Sequence, residues 1–304
     1  MRVRPARPED EEAVVAFTTD TWEERQSDYV PDVFASWVAG DDERTHTQVA
    51  TIDDEPIGLV QTVLLSDHEA WQQGMRVAPA HRGEGVARSL SHAGFDWARD
   101  RGATVARNMV FSWNEQGLGL SRAAGFAPGP EFRWATPTPD PDATPAATVT
   151  DAVNAAWSVW RSAPARDALD GLGLHPEESW AVAEVTRDRL ARASAAESLL
   201  VIEERGARAM AYRTRIAERE RDGETLIEAV YGAAAWLDVE SADALLAAIA
   251  RDAAAAGADR TRVLVPETTA AVSDVAACRV DVSDDPDFVL AADLTAPYRE
   301  YSPR

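Results

Sequence analysis

The chain has no lysine. All 30 of its basic residues are arginine, set against 52 aspartates and glutamates, for a net charge of −22 over 304 residues. This excludes a P-loop nucleotide site, whose lysine reaches the phosphates. It also argues against nucleic acid and anionic lipid as partners, because an acidic surface repels both unless arginines are locally concentrated. Acid-rich, lysine-free composition is like that of proteins from extreme halophiles, where high salt screens self-repulsion. A GC-rich genome would favour arginine over lysine but would not account for the acidity.

Cysteine is almost as scarce. The single Cys278 excludes an internal disulfide and a cysteine-based zinc site, and suits a reducing compartment. Within "DVAACRVDV" it reads as a small core side chain rather than a nucleophile. No apolar run approaches the roughly 18 residues of a membrane span. The opening "MRVRPARPEDEE" turns polar where a signal peptide would become apolar, so a soluble, cytoplasmic protein is expected. The five histidines are scattered without ligand spacing, so no metal site is expected.

What is present suits a packed globular protein: 45% apolar residues and ten tryptophans, in a length that favours two domains. "WATPTPDPDATPAATVTD" carries Pro137, Pro139, Pro141 and Pro145 with almost no large apolar residue and reads as a linker. Before it, "MRVRPA" reads as a short strand, "RPEDEEAVVAFTTDTWEE" and "DVFASWVAG" as helices, and "THTQVATI" and "PIGLVQTVLL" as a hairpin about Asp53, Asp54 and Glu55. "EAWQQGMRVA" reads as a third strand. Val86, Leu90, Ala93 and Trp97 then fall at helical spacing up to a stop at Gly102. A strand "TVARNMVFS", a short helix with "LSRAAGF" and a last strand "EFRWAT" close this half. After the linker, "SLLVIEE" and "ARAMAYRTRIA" predict a hairpin about Arg205 and Gly206, and "TLIEAVYGAAAWL" predicts another strand. A helix capped by Ser241 and ending at Gly257 follows, and "TRVLVPE" and "DFVLAADL" complete the order. Turn and helix end recur about 150 residues apart, the mark of a diverged duplication. In the second half, "WLDVESADA" has neither glycine nor arginine where the first has "HRGEGVA".

That first-half stretch is a strand, a glycine-containing turn and a helix start. Gly83 and Gly85 remove the Cβ atoms that would hold a ligand off the backbone, and the helix start leaves N–H groups without intrahelical partners. Such donors at the positive end of a helix dipole suit a pyrophosphate, with Arg82 and Arg88 flanking it. A purely structural strand-to-helix turn would explain the same residues.

The context resembles the GNAT superfamily of acetyl-CoA-dependent N-acyltransferases. Its pyrophosphate loop reads Q/R-x-x-G-x-G/A, which Arg82, Gly83, Glu84, Gly85, Val86 and Ala87 match at each fixed position. The order of elements over residues 1 to 136 is also similar. The resemblance implies an α/β fold with a mixed α+β sheet in two tandem GNAT-like domains. Residues 1–136 would form the acetyl-CoA-binding domain, 137–150 a Pro-rich linker and 151–304 a degenerate copy. Coenzyme A would lie against Gly83 to Arg88, with Met75 and Val77 offering backbone groups to its pantetheine arm and Asn114 near the same ligand. Glu69 matches the family's base, with Asp67, His68 and Glu115 as rivals. Ser121 stands where the family's tyrosine acid is expected, so water or Tyr29 could supply the proton instead. Trp22, Tyr29, Phe34 and Trp37 fall where the family builds its acceptor pocket, though core packing is the better explanation of aromatics at this spacing. Arg25 or Arg44 could recognise an anionic acceptor. The implied partner is a small-molecule or peptide amine, and the implied protein a monomer or homodimer. The alternative is a non-catalytic acyl-CoA-binding or regulatory module.

Overall fold

The computed structural model describes residues 1–19, 28–221 and 224–297. In chain order the first half holds β1 (Arg2–Pro5), α1 (Glu11–Thr18), α2 (Val30–Ala39), β2 (Thr45–Ile52), β3 (Glu55–Leu64), β4 (Glu69–Val77), α3 (Val86–Arg99), β5 (Val105–Phe111) and α4 (Glu115–Ala124). There follow β6 (Ala127–Ala135), β7 (Thr148–Thr150), α5 (Val153–Ser162), α6 (Pro164–Ala168), β8 (Leu172–Leu174), β9 (Val182–Glu184) and α7 (Arg187–Ala195). The chain then runs through β10 (Leu199–Glu203), β11 (Ala207–Arg221), β12 (Glu224–Trp236), α8 (Val239–Ala255), β13 (Arg260–Pro266), α9 (Thr269–Ala277) and β14 (Asp287–Asp293). Among the described residues no helix is long and apolar enough to cross a membrane.

Two compact units emerge. The first comprises Met1–Val110, Asn114–Pro128 and the chain from Val289 onward, and the second Phe111–Trp113 and Gly129–Phe288. In the first, the strands run in the order β1-β2-β3-β4-β5-β14. β1 to β4 pair antiparallel, and β4 and β5 pair parallel across the α3 connection. The β2–β3 turn places Asp53 at φ 50° and Asp54 at φ 70°, the left-handed pair that a two-residue hairpin loop demands. Val14, Val30, Phe34, Val49 and Leu59 form the core under α1 and α2. Ala50, Ile57, Val60, Val86 and Leu90 form the one under α3.

The second unit's strands run β6-β13-β12-β11-β10-β7, with β8 and β9 a separate pair. β10, β11 and β12 form an antiparallel meander, and β12 and β13 pair parallel across α8. This repeats the strand, crossover helix and strand order of β2 to β5.

The compact units cut the chain elsewhere than its composition does. The Pro-rich stretch lies inside the second unit, and its last residues form β7 against β10. "EFRWAT" pairs with β13, as Ala135↔Val263 and Phe132↔Pro266. The final strand, β14, belongs mainly to the first unit beside β5, where Leu294 N donates to Thr104 O at 2.9 Å and Arg99 Nε to Leu294 O at 2.8 Å. Proline content reports missing backbone donors, not the strand that a neighbour will pair with.

Candidate functional site

β4 is paired along its length on one side only. Against β3 its register runs from Leu64↔Ala70 to Gly58↔Val77. Against β5 the pairs are Glu69↔Val105, Ala70↔Ala106 and Trp71↔Arg107. Beyond Trp71 the two parallel strands part, and the edge of β4 from Gln72 to Val77 turns its backbone toward a fork. Bending accompanies the parting. Between the pairs Leu59↔Arg76 and Gln61↔Gln73, one residue of β3, Val60, opposes two of β4, Met75 and Gly74, a bulge that increases local twist. Gly74 in that bulge has φ +65°, and a Cβ there would sit 2.6 Å from the Trp37 ring. Trp37 therefore braces the bulge from α2.

β4 leads through a short 3-10 turn at Pro79–His81 into the glycines. Gly83 and Gly85 adopt φ +82° and +80°, which side chains rarely tolerate. An added Cβ would meet nothing within 4 Å at Gly83 and only Arg88 Nη2, at 3.8 Å, at Gly85. Glycine is thus required by the backbone course, and the space above both residues is open. α3 starts at Val86 with no side-chain cap, so the orphan N–H groups of its first turn are left for another acceptor. Val86 and Ala87 turn inward and are buried. Gly58 of β3 makes room for Val86 and, one turn on, for Leu90: a Cβ there would lie 3.0 Å from Val86 Cγ1 and 3.1 Å from Leu90 Cδ1. The helix start is thereby pinned to the sheet.

Arg82 and Arg88 are exposed on this loop, and Arg82 Nε reaches Val77 O at 3.3 Å. Glu84, the loop's one acid, has Oε2 at 3.1 Å from His81 Nδ1. That contact draws its charge aside. Met75 O accepts from Arg76 Nη1 at 2.9 Å.

The residues expected to move protons are held differently from one another. Glu69 is buried, with Oε1 accepting from Arg107 Nη1 at 2.7 Å and Oε2 from Ser66 Oγ at 3.0 Å. Ser66 Oγ lies 3.3 Å from Nδ1 of the exposed His68. Since Ser66 gives its hydrogen to Glu69, its oxygen is the acceptor for a proton on His68 Nδ1. Asp67 and Glu115 are exposed. Ser121 is buried in α4, its Oγ accepting from Asn108 Nδ2 at 3.0 Å. Asn114 caps α4, its Oδ1 accepting from Gly117 N at 2.9 Å.

On the opposite face, Trp22 and Arg25 lie outside the described residues. Phe34 is fully buried and belongs to the core. Tyr29 is 43% exposed, meets Trp37 edge to face, and has the Arg76 guanidinium 5.5 Å from its ring centre. Arg76 is held in turn by the buried Asp28 carboxylate, at 2.6 and 3.1 Å. Arg44 is occupied in bonding Leu64 O at 2.8 Å. A row of polar side chains crosses this face: Gln73 donates to Gln61, Gln61 to Thr47 and Thr47 to Asp41. Burial pushes the Asp41 carboxyl above its ordinary range.

The second unit offers no counterpart to the open helix start. α8 begins in a reciprocal cap, with Asp238 rather than Ser241 as the capping residue: Asp238 Oδ1 accepts from Ser241 N at 2.9 Å and Asp238 N donates to Ser241 Oγ at 3.2 Å. These bonds, with Arg208 alongside, hold the Asp238 carboxyl below its usual range. A carboxylate fills the place that an anion would need. Cys278 is half-buried, and burial with Asp243 and Asp274 nearby pushes its thiol up to about 11. It is correspondingly unreactive.

Residues 11–126 match the acetyltransferase (GNAT) family. A GCN5-related N-acetyltransferase from Sphaerobacter thermophilus is structurally similar at 16% identity and a TM-score of 0.59, over 99% of this chain and 97% of its own. A candidate acetyltransferase from Thermoplasma acidophilum, also at 16% identity, superposes with a TM-score of 0.56 over 96% of this chain and all of its own. These neighbours share the fold over nearly the whole length. No curated protein matches the sequence significantly.

Proposed function

From the family match of residues 11–126 we propose that the chain is an acyl-CoA-dependent N-acetyltransferase, with its acyl-CoA site in the β4–β5 fork and the glycine turn. The observation that carries this reading is the uncapped start of α3 beneath open space at Gly83 and Gly85, continuous with the parted edge of β4. Backbone N–H groups of Gly83 to Arg88 would take the pyrophosphate, with Arg82 and Arg88 adding charge. Met75 and Val77 would present backbone groups to the pantetheine arm as a neighbouring strand does. Acetyl-CoA would supply the activated acyl group, a thioester open to attack by a neutral amine.

In this reading His68 removes the proton of the amine. Ser66 and Glu69 fix its tautomer, leaving Nε2 as the basic nitrogen. The leaving sulfur takes its proton from water, because Ser121 is buried and bonded to Asn108. The same burial of Ser121 favours the second reading, a non-catalytic acyl-CoA-binding module. The second unit is read as a degenerate copy, its helix start filled by Asp238.

Calorimetry with acetyl-CoA and thiol release against a panel of small and peptidic amines separate these readings. The enzyme reading expects binding with turnover, and a drop in kcat of about 100-fold in His68→Ala, in the usual range for a lost general base. Binding without release on any amine would instead leave a regulatory module. Both assays belong in multimolar KCl. With a net charge of −22 and a Debye length shrinking from about 10 Å at 0.1 M salt to about 3 Å at 1 M, thermal stability is expected to rise steeply over that interval. A melting temperature that does not move with KCl would contradict the proposed adaptation to high salt.

A further inference from the structure

Trp71 and Arg107 are the last paired residues of β4 and β5, so Gln72 and Asn108 are the first on either side of the fork. Both side chains turn toward the helices. Gln72 Nε2 donates to Ser91 O at 2.9 Å, and Asn108 Nδ2 donates to Ser121 Oγ at 3.0 Å. On β5 the residues sharing Asn108's face are the buried Ala106 and Val110, so an amide here interrupts an apolar alternation. Its Oδ1 is buried and has no hydrogen-bond partner among the described residues. A buried acceptor in that state is unfavourable unless a donor is brought to it.

We propose that Asn108 Oδ1 accepts an amide N–H from the pantetheine arm of acyl-CoA at the vertex of the fork, and that Ser121 is the positioning residue that holds it in that orientation. This rests on the acyl-CoA reading of the site. The choice of donor follows from the chemistry of the ligand. A thioester has no hydrogen to give, and the hydroxyl of the arm lies at its pyrophosphate end, so the amide nearest the sulfur is the donor that reaches the vertex. By taking the Nδ2 hydrogen, Ser121 leaves the oxygen of Asn108 as the end of the amide that is available to accept. The serine that replaces a tyrosine thus gains a role in binding rather than in proton transfer.

The test compares two ligands by calorimetry: coenzyme A, and 3′-phospho-ADP, which lacks the arm. Asn108→Leu is expected to weaken coenzyme A about tenfold, equivalent to roughly 1.4 kcal/mol, to leave 3′-phospho-ADP unchanged, and to keep a melting temperature close to wild type, since the lost bond to Ser121 is offset by removal of an unpaired buried oxygen. Ser121→Ala, which removes only the group holding the amide, should shift coenzyme A in the same direction, and Ser121→Thr should restore it. It also serves as the readout if Asn108→Leu does not fold. Coenzyme A bound equally well by Asn108→Leu and wild type would overturn the proposal while leaving the acyl-CoA site standing. Equal weakening of both ligands would overturn it too, assigning Asn108 to packing. If the wild type binds neither ligand, the acyl-CoA reading itself falls.

Discussion

Gly85→Trp is expected to abolish coenzyme A binding, by at least about 100-fold or roughly 2.7 kcal/mol, while the protein stays folded. Two features of the residue make the effect large and specific. Its φ of +80° costs any side chain on the order of 1–2 kcal/mol, a loss a folded domain generally survives. Its Cβ direction is also nearly empty, with Arg88 Nη2 as the one neighbour, at 3.8 Å. An indole placed there would stand over the first turn of α3 without striking the core that Val86 and Leu90 form with the sheet. Gly85→Ala carries the same backbone cost but leaves most of that space open, so its binding loss should be much smaller. Circular dichroism and calorimetry on the two variants separate strain from obstruction. Coenzyme A bound by Gly85→Trp with wild-type affinity would mean that the glycine turn is structural and the ligand, if any, lies elsewhere.

The glycine turn is readable from sequence alone, and other parts of the molecule are not. The β2–β3 turn, α3 and the glycine loop are local: Asp53 and Asp54, the spacing of Val86 and Leu90, and the backbone freedom of Gly83 and Gly85 carry their structure within a few residues. The fork is not local. Nothing in "EAWQQGMRVA" says that pairing with β5 stops at Trp71, because this depends on a register set by residues 36 positions away, as in Trp71↔Arg107. The resemblance marks Glu69 as a base, but only the β4–β5 register puts Arg107, on another strand, against its Oε1 while Ser66 holds Oε2. Ser121 looked like a weakened acid until Asn108 was found against it. A signal for Asn108 did exist, a lone amide between Ala106 and Val110 in an apolar alternation, but its meaning depends on α4. The exchange of β6 and β14 between the compact units was beyond periodicity altogether. A strand's pattern reports which face is buried, not which strand lies beside it.

The second large effect is expected far from the ligand. Asp10→Ala should destabilise the protein by about 3 kcal/mol or more, the usual outcome when one partner of a buried ion pair is removed. Arg4 on β1 and Asp10 at the start of α1 are 5% exposed each, joined by two 2.7 Å bonds, and Asp10 also accepts from Arg7 N at 2.8 Å. Without Asp10 the Arg4 guanidinium would be left buried, with the exposed Asp54, 3.5 Å from its Nε, as its remaining acid. Burial by itself pushes the Asp10 carboxyl up, but the bonds from Arg4 and Arg7 outweigh it and hold the group below its ordinary range. A carboxyl depressed in the folded state contributes stability above its unfolded pKa of about 3.9, and that contribution disappears as pH falls through the lower folded value. The wild type should therefore lose stability below about pH 4, and Asp10→Ala should show a flatter curve over that window. Denaturant midpoints measured from pH 3 to 7 in high salt test this. The medium matters, because in dilute buffer the chain also bears the repulsion of its 22 excess negative charges, and a domain with only about 5–15 kcal/mol of stability has little to spare for both. A variant as stable as the wild type, with an unchanged acid limb, would show that β1 and α1 are held together by the apolar core of Val14, Val30 and Leu59 without help from the pair.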